Sequence, residues 1–545
     1  MASNILNIGK SALTAAQVGI STTGHNIANA STPGYTRQVV IQGAALAQNF
    51  GYGFIGQGTQ VTTVQRVYSE LLTRQVASSQ STSGELSTYA TQMSQIDNLL
   101  ANASAGLSPA IQGFFSSLQT AAANPGDPAS RQSMLSTAQA LASRFQALGK
   151  RLDDIGQSVN SDITASVSLI NSYARQISQL NKSIEAASIA GGNPPNDLLD
   201  QRDQLIAELS GQIKVDVVKQ DDGKYNVFIG NGQPLVVGSD TYALTTVRSP
   251  TDANRIEVGY VNNSTTVILG SNSLTGGKLG GLVQFREKSL DVIQGQLGLV
   301  AIGLAETFNA QHALGYDQSG TLGSDFFSIP APQVAPSTAN NGNADLTATV
   351  SSVSALTGSN YRVKFDGSNY TITRTDTGAS QSFASLPQTV DGVAFDIASG
   401  SMTPGDSFLV KPTAQAATGF SVAITDVGDI ALAGLPTAGN GDNENALKLA
   451  ALQSAMTMFN GTTSFEGAYG QLVSLVGNKT NELKVMGTAE EAMLEGTIAA
   501  QQSVSGVNLD EEATNLLRYQ QAYQAAAKVM QIASQLFDEI LALGR

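Results

Sequence analysis

The sequence predicts an α+β multidomain protein in which long terminal and central helices form a bundle or coiled coil, interrupted by two inserted, mainly antiparallel β domains. Three observations predict this fold. Apolar residues recur at spacings of three and four near both chain ends and in central segments, a pattern typical of amphipathic helices. Two intervening stretches alternate apolar and polar residues around Asp-Gly turns, which indicates β-hairpins. The length of 545 residues suits three or four domains of about 150 residues each.

The N-terminal segment carries a narrow apolar seam that repeats every seven residues and consists of Leu6, Leu13, Ile20 and Ile27. Small residues such as Gly9 and Ala16 follow at an offset of three, which favours close packing of a helix against a partner helix. We expect the helix to end near Pro33-Gly34, because proline disfavours the α conformation in the residue before it. The first 50 residues contain Lys10 and Arg37 but no acidic residue.

The strongest periodic signal lies near the C-terminus, at Leu516, Tyr519, Tyr523, Ala526, Met530, Ala533, Phe537 and Ile540. Asn508 is the predicted N-cap of this helix, and Glu511 completes a capping box three residues later. A long helix with few charges is not very stable alone. We therefore expect its apolar stripe to be covered by the N-terminal helix or by neighbouring subunits.

The helical pattern is interrupted twice, so the chain leaves the helical bundle and returns to it. The predicted domains are a terminal helical domain, loosely ordered or disordered before assembly, then a helical bundle domain, a first β domain and a second, outer β domain. Their boundaries are 1–50 with 508–545, then 51–212 with 281–335 and 440–507, then 213–280, and 340–428.

Composition excludes several classes of function. The chain has 29 basic and 43 acidic residues, so it lacks the basic surface that nucleic-acid binding requires. It contains no cysteine, which excludes disulfides, thiolate nucleophiles and cysteine-ligated zinc. The longest apolar run is Leu297–Ala305, far short of the roughly 20 residues of a membrane span. We therefore expect neither nucleic-acid binding nor membrane insertion.

The motifs that resemble catalytic sites have simpler interpretations. The segment 51–56 matches the dinucleotide fingerprint G-x-G-x-x-G, but a strand pattern follows it where the fingerprint requires a helix. His25 has no second histidine nearby to share a metal, and His312 is interpreted as a capping or surface residue at a helix end. We expect no catalytic, cofactor or metal site, and the protein is predicted not to be an enzyme.

The residues after the first seam resemble a known signature. Bacterial flagellar rod, hook and hook-associated proteins, together the axial family, share the pattern N-I-A-N-x-x-T-x-G-Y, which is matched here by Asn26, Ile27, Ala28, Asn29, Thr32, Gly34 and Tyr35. The C-terminal stretch 505–523 resembles the hook-associated protein 1 family more specifically. The resemblance is one of motifs at both ends and of pattern in the middle, so it covers essentially the whole chain.

The resemblance implies a structural adaptor that joins the flagellar hook to the filament. Such a protein is exported without a cleaved signal through the flagellar channel, assembles at the hook tip, and is therefore extracellular after a transient cytoplasmic stage. Its terminal helices form an inner tube and its β domains project outward. The implied partners are further copies of itself in a ring-like layer, the hook protein below, a second junction protein and the filament above, and a cytoplasmic export chaperone on the C-terminal helix.

These inferences define three sets of site residues. The signature residues are expected to shape the turn after the first helix, with the asparagine side chains bonding freed backbone groups. The predicted assembly interface consists of Leu6, Leu13, Ile20, Ile27, Leu516, Tyr519, Tyr523, Met530, Phe537 and Ile540. The candidate chaperone-binding residues are Leu516, Tyr523, Met530 and Phe537. The alternatives are another axial protein of the hook or distal rod, and a surface adhesin or glycan-binding protein that uses its outer β domain.

Overall fold

The computed structural model describes residues 2–49, 51, 53–102, 106–191, 193–262, 265–437 and 439–543. Within these ranges, the side chains of residues 2, 3, 191, 540, 541 and 543 lie outside the description.

The N-terminal segment folds as a helix followed by a β-hairpin, with the elements α1 (Ala2–Ala28), β1 (Gln38–Ala44), β2 (Gln48–Asn49), β3 (Phe54–Ile55) and β4 (Thr59–Arg66). Strands β1 and β4 pair antiparallel, and β2 pairs with β3 closer to the end of the hairpin. Gly51 and Gly53 have φ values of 85° and 149°, which favour glycine. The G-x-G-x-x-G segment therefore lies in a hairpin and precedes a strand; its Tyr52 lies outside the described residues.

Long helices build the body of the molecule: α2 (Glu70–Leu100), α3 (Leu107–Ala123), α4 (Pro128–Gly191) and α5 (Asn196–Ser210). The carboxylate of Asp127 accepts a hydrogen bond from the Ser130 backbone N–H at 3.0 Å, so it caps the first turn of α4. Proline at the first helical position is compatible with this cap, because that N–H has no intrahelical partner. The helix α4 then continues for 64 residues.

The first β insertion contains β5 (Val215–Lys219), β6 (Tyr225–Ile229), β7 (Gln233–Val237), β8 (Asp240–Thr241), β9 (Leu244–Ser249), β10 (Asp252–Asn262) and β11 (Thr265–Ile268). Two antiparallel sheets result, with strand orders β5-β6-β7-β8 and β11-β10-β9. The hairpin predicted at Asp222-Gly223 joins β5 to β6, and Gly223 has a φ of 83° there.

The chain returns to the helical body through a 3₁₀ turn (Ser271–Ser273), α6 (Gly277–Phe285), a π-helical turn (Arg286–Leu290) and α7 (Asp291–His312). The proposed boundary between residues 280 and 281 falls inside α6, so the helix starts before that boundary. Two strands of the N-terminal hairpin likewise fall within the range 51–212 that the sequence assigned to the helical bundle.

The outer β domain contains β12 (Phe327–Ser328), β13 (Gln333–Pro336), β14 (Asp345–Val350), β15 (Tyr361–Phe365), β16 (Tyr370–Arg374), β17 (Ser380–Phe383), β18 (Gln388–Val390), β19 (Val393–Ser399), β20 (Ser407–Lys411), α8 (Ala416–Gly419), β21 (Ser421–Val422) and a 3₁₀ turn (Val427–Asp429). Its main sheets have the orders β13-β20-β15-β16-β17 and β14-β19-β18. All their strand pairs are antiparallel.

The last part of the chain is helical again, with α9 (Glu444–Ala451), α10 (Phe465–Ser505) and α11 (Leu509–Leu543). Helix α10 packs along α2, and α11 packs along α1. The two chain ends therefore lie together, and the β insertions lie between helical segments of the body. The predicted fold class, an α+β multidomain protein with long helices and antiparallel β insertions, is confirmed.

An aromatic cluster packs β12 against the helices α3 and α7 of the body. The rings of Phe114, Phe308 and Phe327 lie with centroids 5.4 to 5.5 Å apart, and all three side chains are buried. His312 stacks on Phe308 and is fully buried. Its interpretation as a capping or surface residue was wrong, because the side chain is buried and its ring nitrogens bond backbone groups of two adjoining loops, at Ser324 and at Ala431.

Candidate assembly interface

The two terminal helices pair antiparallel through small residues. A Cβ atom placed on Gly9 would lie 2.9 Å from the Met530 sulfur, and one placed on Gly19 would lie 2.5 Å from the Tyr519 ring. Both distances are shorter than real Cβ contacts, so a side chain at either position would displace Met530 or Tyr519. Ala16 is buried in the same row of α1. At the closest contact, the backbone of α1 therefore packs against side chains of α11.

The predicted seam of α1 flanks this contact and does not fill it. The four large residues of the seam are half-buried, and they are Leu6, Leu13, Ile20 and Ile27. On α11, Ala526 and Ala533 are fully buried at the contact. The remaining predicted residues of α11 range from half-buried to exposed, the most exposed being Tyr523 at 39% and Phe537 at 49%.

The predicted C-terminal residues therefore divide into two groups. Leu516, Tyr519 and Met530 are half-buried, and the structure brings Tyr519 and Met530 onto glycines of α1. Tyr523 and Phe537 keep much of their surface exposed. The side chain of Ile540 lies outside the described residues. The role of all these residues in assembly stays a prediction.

The signature residue Asn26 joins three parts of the chain. Its side-chain oxygen accepts hydrogen bonds from the Tyr35 hydroxyl at 2.7 Å and the Gln38 backbone N–H at 3.0 Å. Its amide nitrogen donates to the Gln38 carbonyl at 2.9 Å and to the Glu512 carboxylate at 3.1 Å. Asn26 is buried, so these bonds satisfy a side chain that could not reach water. They connect the end of α1, the start of β1 and the first turn of α11.

The other signature residues form the turn itself. The Asn29 side chain donates to the His25 carbonyl at 3.0 Å, and it accepts a bond from the Thr32 hydroxyl at 3.2 Å. Gly34 has a φ of 77°, which favours glycine. Burial, followed by the negative charges of nearby carboxylates, raises the pKa of Tyr35, so its hydroxyl keeps the proton that it donates. Ile27 is half-buried and Ala28 is exposed, and neither side chain takes part in this network.

An arginine that the sequence analysis did not single out as a site residue holds α11 at its first turn. The guanidinium of Arg37 contacts both carboxylate oxygens of Glu511, at 3.0 and 2.6 Å, and lies 3.0 Å from Glu512. Asn508 caps α11 as predicted, accepting from the N–H groups of Asp510 and Glu511. A capping box also requires Glu511 to bond back to the backbone N–H of Asn508, and this part of the prediction was wrong. The Glu511 carboxylate instead makes a bidentate ion pair with Arg37, which is stronger than a hydrogen bond to a backbone N–H.

Three aspartates on α5 fasten the hairpin to the helical body. The Gln38 side chain donates to Asp197 at 2.8 Å, and Thr36 donates to Asp200 through both its backbone N–H and its hydroxyl. On the other strand, Arg66 bonds Asp200 at 2.9 Å and Asp203 at 2.8 Å. Burial raises the pKa of Asp203, and the charge of Arg66 opposes that shift. The paired chain ends are thus tied to the body by hydrogen bonds to carboxylates, and those of Arg66 with Asp200 and Asp203 are largely buried.

Sequence reasoning missed the residues of this network, although signals were present. Arg37 is one of two basic residues in a segment without acidic residues. Asp197, Asp200 and Asp203 recur at a spacing of three, which places them on one face of a helix. What the sequence does not indicate is that these groups meet, because even Arg66 and Asp200 are separated by 134 positions, and Arg37 and Glu511 by 474.

We also searched the described residues for metal-binding sites and membrane-spanning helices. Among these residues, no three histidine or acidic residues are grouped so as to hold a metal ion. Within the described ranges, no helix combines the length and the apolar character of a membrane span.

The paired ends, the signature turn and the β insertions between helical segments define an axial protein of the bacterial flagellum. The model described as "Flagella basal body rod protein" matches residues 6–36, and "Flagellar basal body rod FlgEFG protein C-terminal" matches 500–543. Between them, the "Flagellar hook-associated protein FlgK helical domain" matches 93–327, and the "Flagellar hook-associated protein 1, D2-like domain" matches 336–412. The chain belongs to the flagellar hook-associated protein 1 family, FlgK.

Relatives from several bacteria support this assignment over the full length. Flagellar hook-associated protein 1 of Salmonella typhimurium is 41% identical over 554 residues, and that of Escherichia coli is 39% identical over 545 residues, with 99% of each chain covered. The solved structure of the flagellar hook junction protein FlgK from Burkholderia pseudomallei matches with a TM-score of 0.75 and 32% identity. That match covers 79% of this chain and 100% of the other. The resemblance inferred from the two terminal motifs is confirmed.

Proposed function

We propose that this chain is the structural adaptor that joins the flagellar hook to the filament, and we assign it no catalytic role. The observation that carries the proposal is the pairing of the two chain ends. Helices α1 and α11 pack together, yet α11 leaves large apolar side chains exposed, among them Leu517 at 60% and Ile532 at 47%. Exposed apolar surface of this kind marks a contact with another protein. Because a relative is named for the hook junction, we place that contact at the hook junction.

The proposed partners follow from this exposed surface. Copies of the chain form a ring-like layer in which the paired ends line the inner tube and the β insertions project outward. The hook protein lies below that layer, and a second junction protein and the filament lie above it. Family membership favours this position over the hook or the distal rod, which share the N-terminal signature.

Export through the flagellar channel precedes assembly in this proposal, so the protein is cytoplasmic only transiently and then extracellular. Before assembly, α11 needs protection, because Leu516, Tyr523, Met530 and Phe537 recur every seven residues on one helical face. When α11 is separated from α1, these side chains form a continuous apolar strip. We propose that a small cytoplasmic chaperone holds this strip in a groove.

A deletion strain tests the adaptor proposal. Electron micrographs should show hooks without filaments, and filament protein should accumulate in the medium. Complementation with the wild-type chain should restore filaments, whereas Tyr523→Asp with Phe537→Asp should not. Leu322→Asp with Leu435→Asp is the matched control, because these leucines are 57% and 59% exposed in the body of the molecule. Normal filaments in the deletion strain would contradict the proposal.

A pull-down from the cytoplasm tests the chaperone proposal separately. The full chain should retain a small protein that a chain lacking residues 508–545 loses. Equal retention by both chains would place chaperone binding elsewhere and would leave the adaptor proposal unaffected.

A further inference from the structure

The end of the N-terminal hairpin is an exposed apolar surface, which we call the hairpin tip and define by Leu46 and Phe54. Leu46 is 93% exposed and Phe54 is 75% exposed. No charged residue occurs between Gly43 and Gln60, so this part of the hairpin has no charge to desolvate on binding. Two large apolar side chains presented this openly on a charge-free β-hairpin indicate a contact surface.

A second uncovered apolar surface lies on α11, and we call it the outer stripe. It consists of Val529, Ile532 and Leu536, which recur at spacings of three and four and are 37%, 47% and 41% exposed. The stripe lies beside the face that contacts α1, since Met530 on that face is adjacent to Val529. Ala522 and Ala525 extend the stripe toward the start of the helix, and Lys528, four residues before Ile532, lies at its edge.

The two surfaces belong to elements that reach α1 at the same level. The hairpin reaches α1 at Gly58, between β3 and β4, where an added Cβ would lie 3.2 Å from the Cα atom of Ile8. Helix α11 reaches α1 at the neighbouring residue, because Met530 packs on Gly9. Both surfaces nevertheless remain exposed in the folded chain, so they do not cover each other within one copy.

Equal height is what a layer of side-by-side copies requires. In such a layer, the elements that carry the tip of one copy and the stripe of its neighbour reach α1 at the same height. Both surfaces consist of apolar side chains, with Lys528 at the edge of the stripe and not within it, so the contact buries no charge at its centre. The contact is head-to-tail, since each copy uses its tip on one side and its stripe on the other, and such contacts build rings or helical layers.

We propose that the hairpin tip of one copy docks on the outer stripe of the next copy in the same layer. This inference rests on the proposed function, because it specifies how the copies of one layer hold each other. The occupant of the stripe is a second copy of this chain, and it binds through Leu46 and Phe54.

The absence of cysteine permits a direct test. Flagella are isolated from cells that make the double variant Leu46→Cys with Ile532→Cys, and the junction is oxidised. We expect a ladder of disulfide-linked dimers, trimers and larger species, because every copy offers one thiol to each neighbour. A disulfide requires Cβ atoms about 3.5–4.5 Å apart, so a ladder demonstrates direct contact.

Each single-cysteine variant is a control and should remain monomeric, as should Leu322→Cys combined with Ile532→Cys. Monomers only, dimers from a single variant, or a link to a protein of different mass would overturn the proposal. Leu46→Asp with Phe54→Asp gives a second measurement. It should leave the circular dichroism spectrum unchanged and remove the chain from hook tips, and normal occupancy of hook tips would equally overturn the inference.

Immunogold labelling of the wild-type chain separates this inference from the proposed function. Label at the junction without a ladder shows that the tip-to-stripe contact is wrong while the adaptor role stands. Absence of label at the junction contradicts the adaptor role itself.

Discussion

The paired chain ends and the helical body are packed by different kinds of residue. In the body, fully buried phenylalanines such as Phe114 and Phe308 contact one another. At the ends, glycines of α1 meet α11, and the buried apolar side chains described there are alanines, Ala15 and Ala16 on α1 and Ala526 and Ala533 on α11. Hydrophobic stabilisation follows buried apolar area, at about 25 cal/mol per Å². The body therefore holds itself together, whereas the ends depend on close fit and on polar links to the body.

The largest expected change in the free energy of unfolding comes from removing a phenylalanine from the body. Phe308→Ala should lower the free energy of unfolding by about 3–5 kcal/mol, because it deletes a fully buried ring and leaves a cavity. Urea unfolding followed by circular dichroism measures the loss. Leu322→Ala, at a 57% exposed position, is the control and should change the free energy by less than about 0.5 kcal/mol. A loss below 1 kcal/mol for Phe308→Ala would contradict the contrast between body and ends.

A second variant separates the ends from the body. Arg37→Ala leaves the Glu512 carboxylate, whose side chain is 3% exposed, without its cation. We expect a local loss of about 2 kcal/mol, below the range for a fully buried pair because Arg37 itself is 21% exposed. Hydrogen exchange should accelerate in the first turns of α11 and stay unchanged in α4.

The matched control for this variant is Arg74→Ala, which removes an exposed ion pair with Glu70 at 3.8 Å. Its effect should stay below about 0.5 kcal/mol. Equal exchange in α11 for both variants would show that Arg37 does not hold the helix.

A third variant tests only the close packing of α1 against α11, and we expect its effect on stability to be smaller. Gly19→Ala places a methyl group against the Tyr519 ring and should separate α1 from α11, at a cost of about 1–2 kcal/mol. Gly24→Ala on the same helix is the control, because a Cβ there meets nothing within 4 Å. It should stabilise α1 by roughly 0.5–1 kcal/mol, since alanine favours helix over glycine. Limited proteolysis of α1 distinguishes the two variants, because Gly19→Ala should be cleaved faster. Faster cleavage of Gly24→Ala than of Gly19→Ala would contradict the close packing of Gly19 on Tyr519.

The smallest effect is a pH dependence of the body. The His312 ring donates from Nδ1 to the Ser324 carbonyl at 2.6 Å, and its Nε2 accepts from the Ala431 N–H at 2.9 Å. Burial lowers the pKa of His312 below its usual value near 6.5. As pH falls below about 6.5 the unfolded chain binds this proton first, so the body loses up to about 1.4 kcal/mol per pH unit until the lowered pKa is reached.

Unfolding by urea at pH 7 and pH 5 measures this dependence. His312→Gln should flatten the dependence, although the variant is less stable at both values. His25→Gln, at the half-buried second histidine, should preserve it. An unchanged slope in His312→Gln would contradict the assignment of the effect to this ring.

The helices, the β insertions and the family could be predicted from the sequence because they depend on local periodicity and on short motifs. The pairing of α1 with α11 was one of the two covers that the sequence left open for the C-terminal stripe, the other being neighbouring subunits. Of the residues that make the closest contact, Gly9 and Ala16 could be predicted as small residues suited to close packing. Gly19 could not, because it lies outside the repeat of seven and only the partner residue Tyr519 shows why a small residue is needed there.

The polar network could not be predicted for a different reason. Each partner is an ordinary surface-type residue, and Arg37 with Glu511 or Arg66 with Asp200 are brought together only by the fold. His312 likewise looked like a surface residue at a helix end, because nothing near it in sequence indicates the loop around Ala431 that covers it. Burial of polar groups depends on tertiary contacts that one-dimensional patterns do not contain.

The uninterrupted 64-residue helix α4 has a mechanical consequence. At 1.5 Å per residue it is about 96 Å long. It contacts strands of the first β insertion and, through α8 and β21, the neighbourhood of the second. A force applied at one end of α4 is therefore carried along a single stiff helix to the elements that hold both β insertions, so the two insertions move together with the helical body.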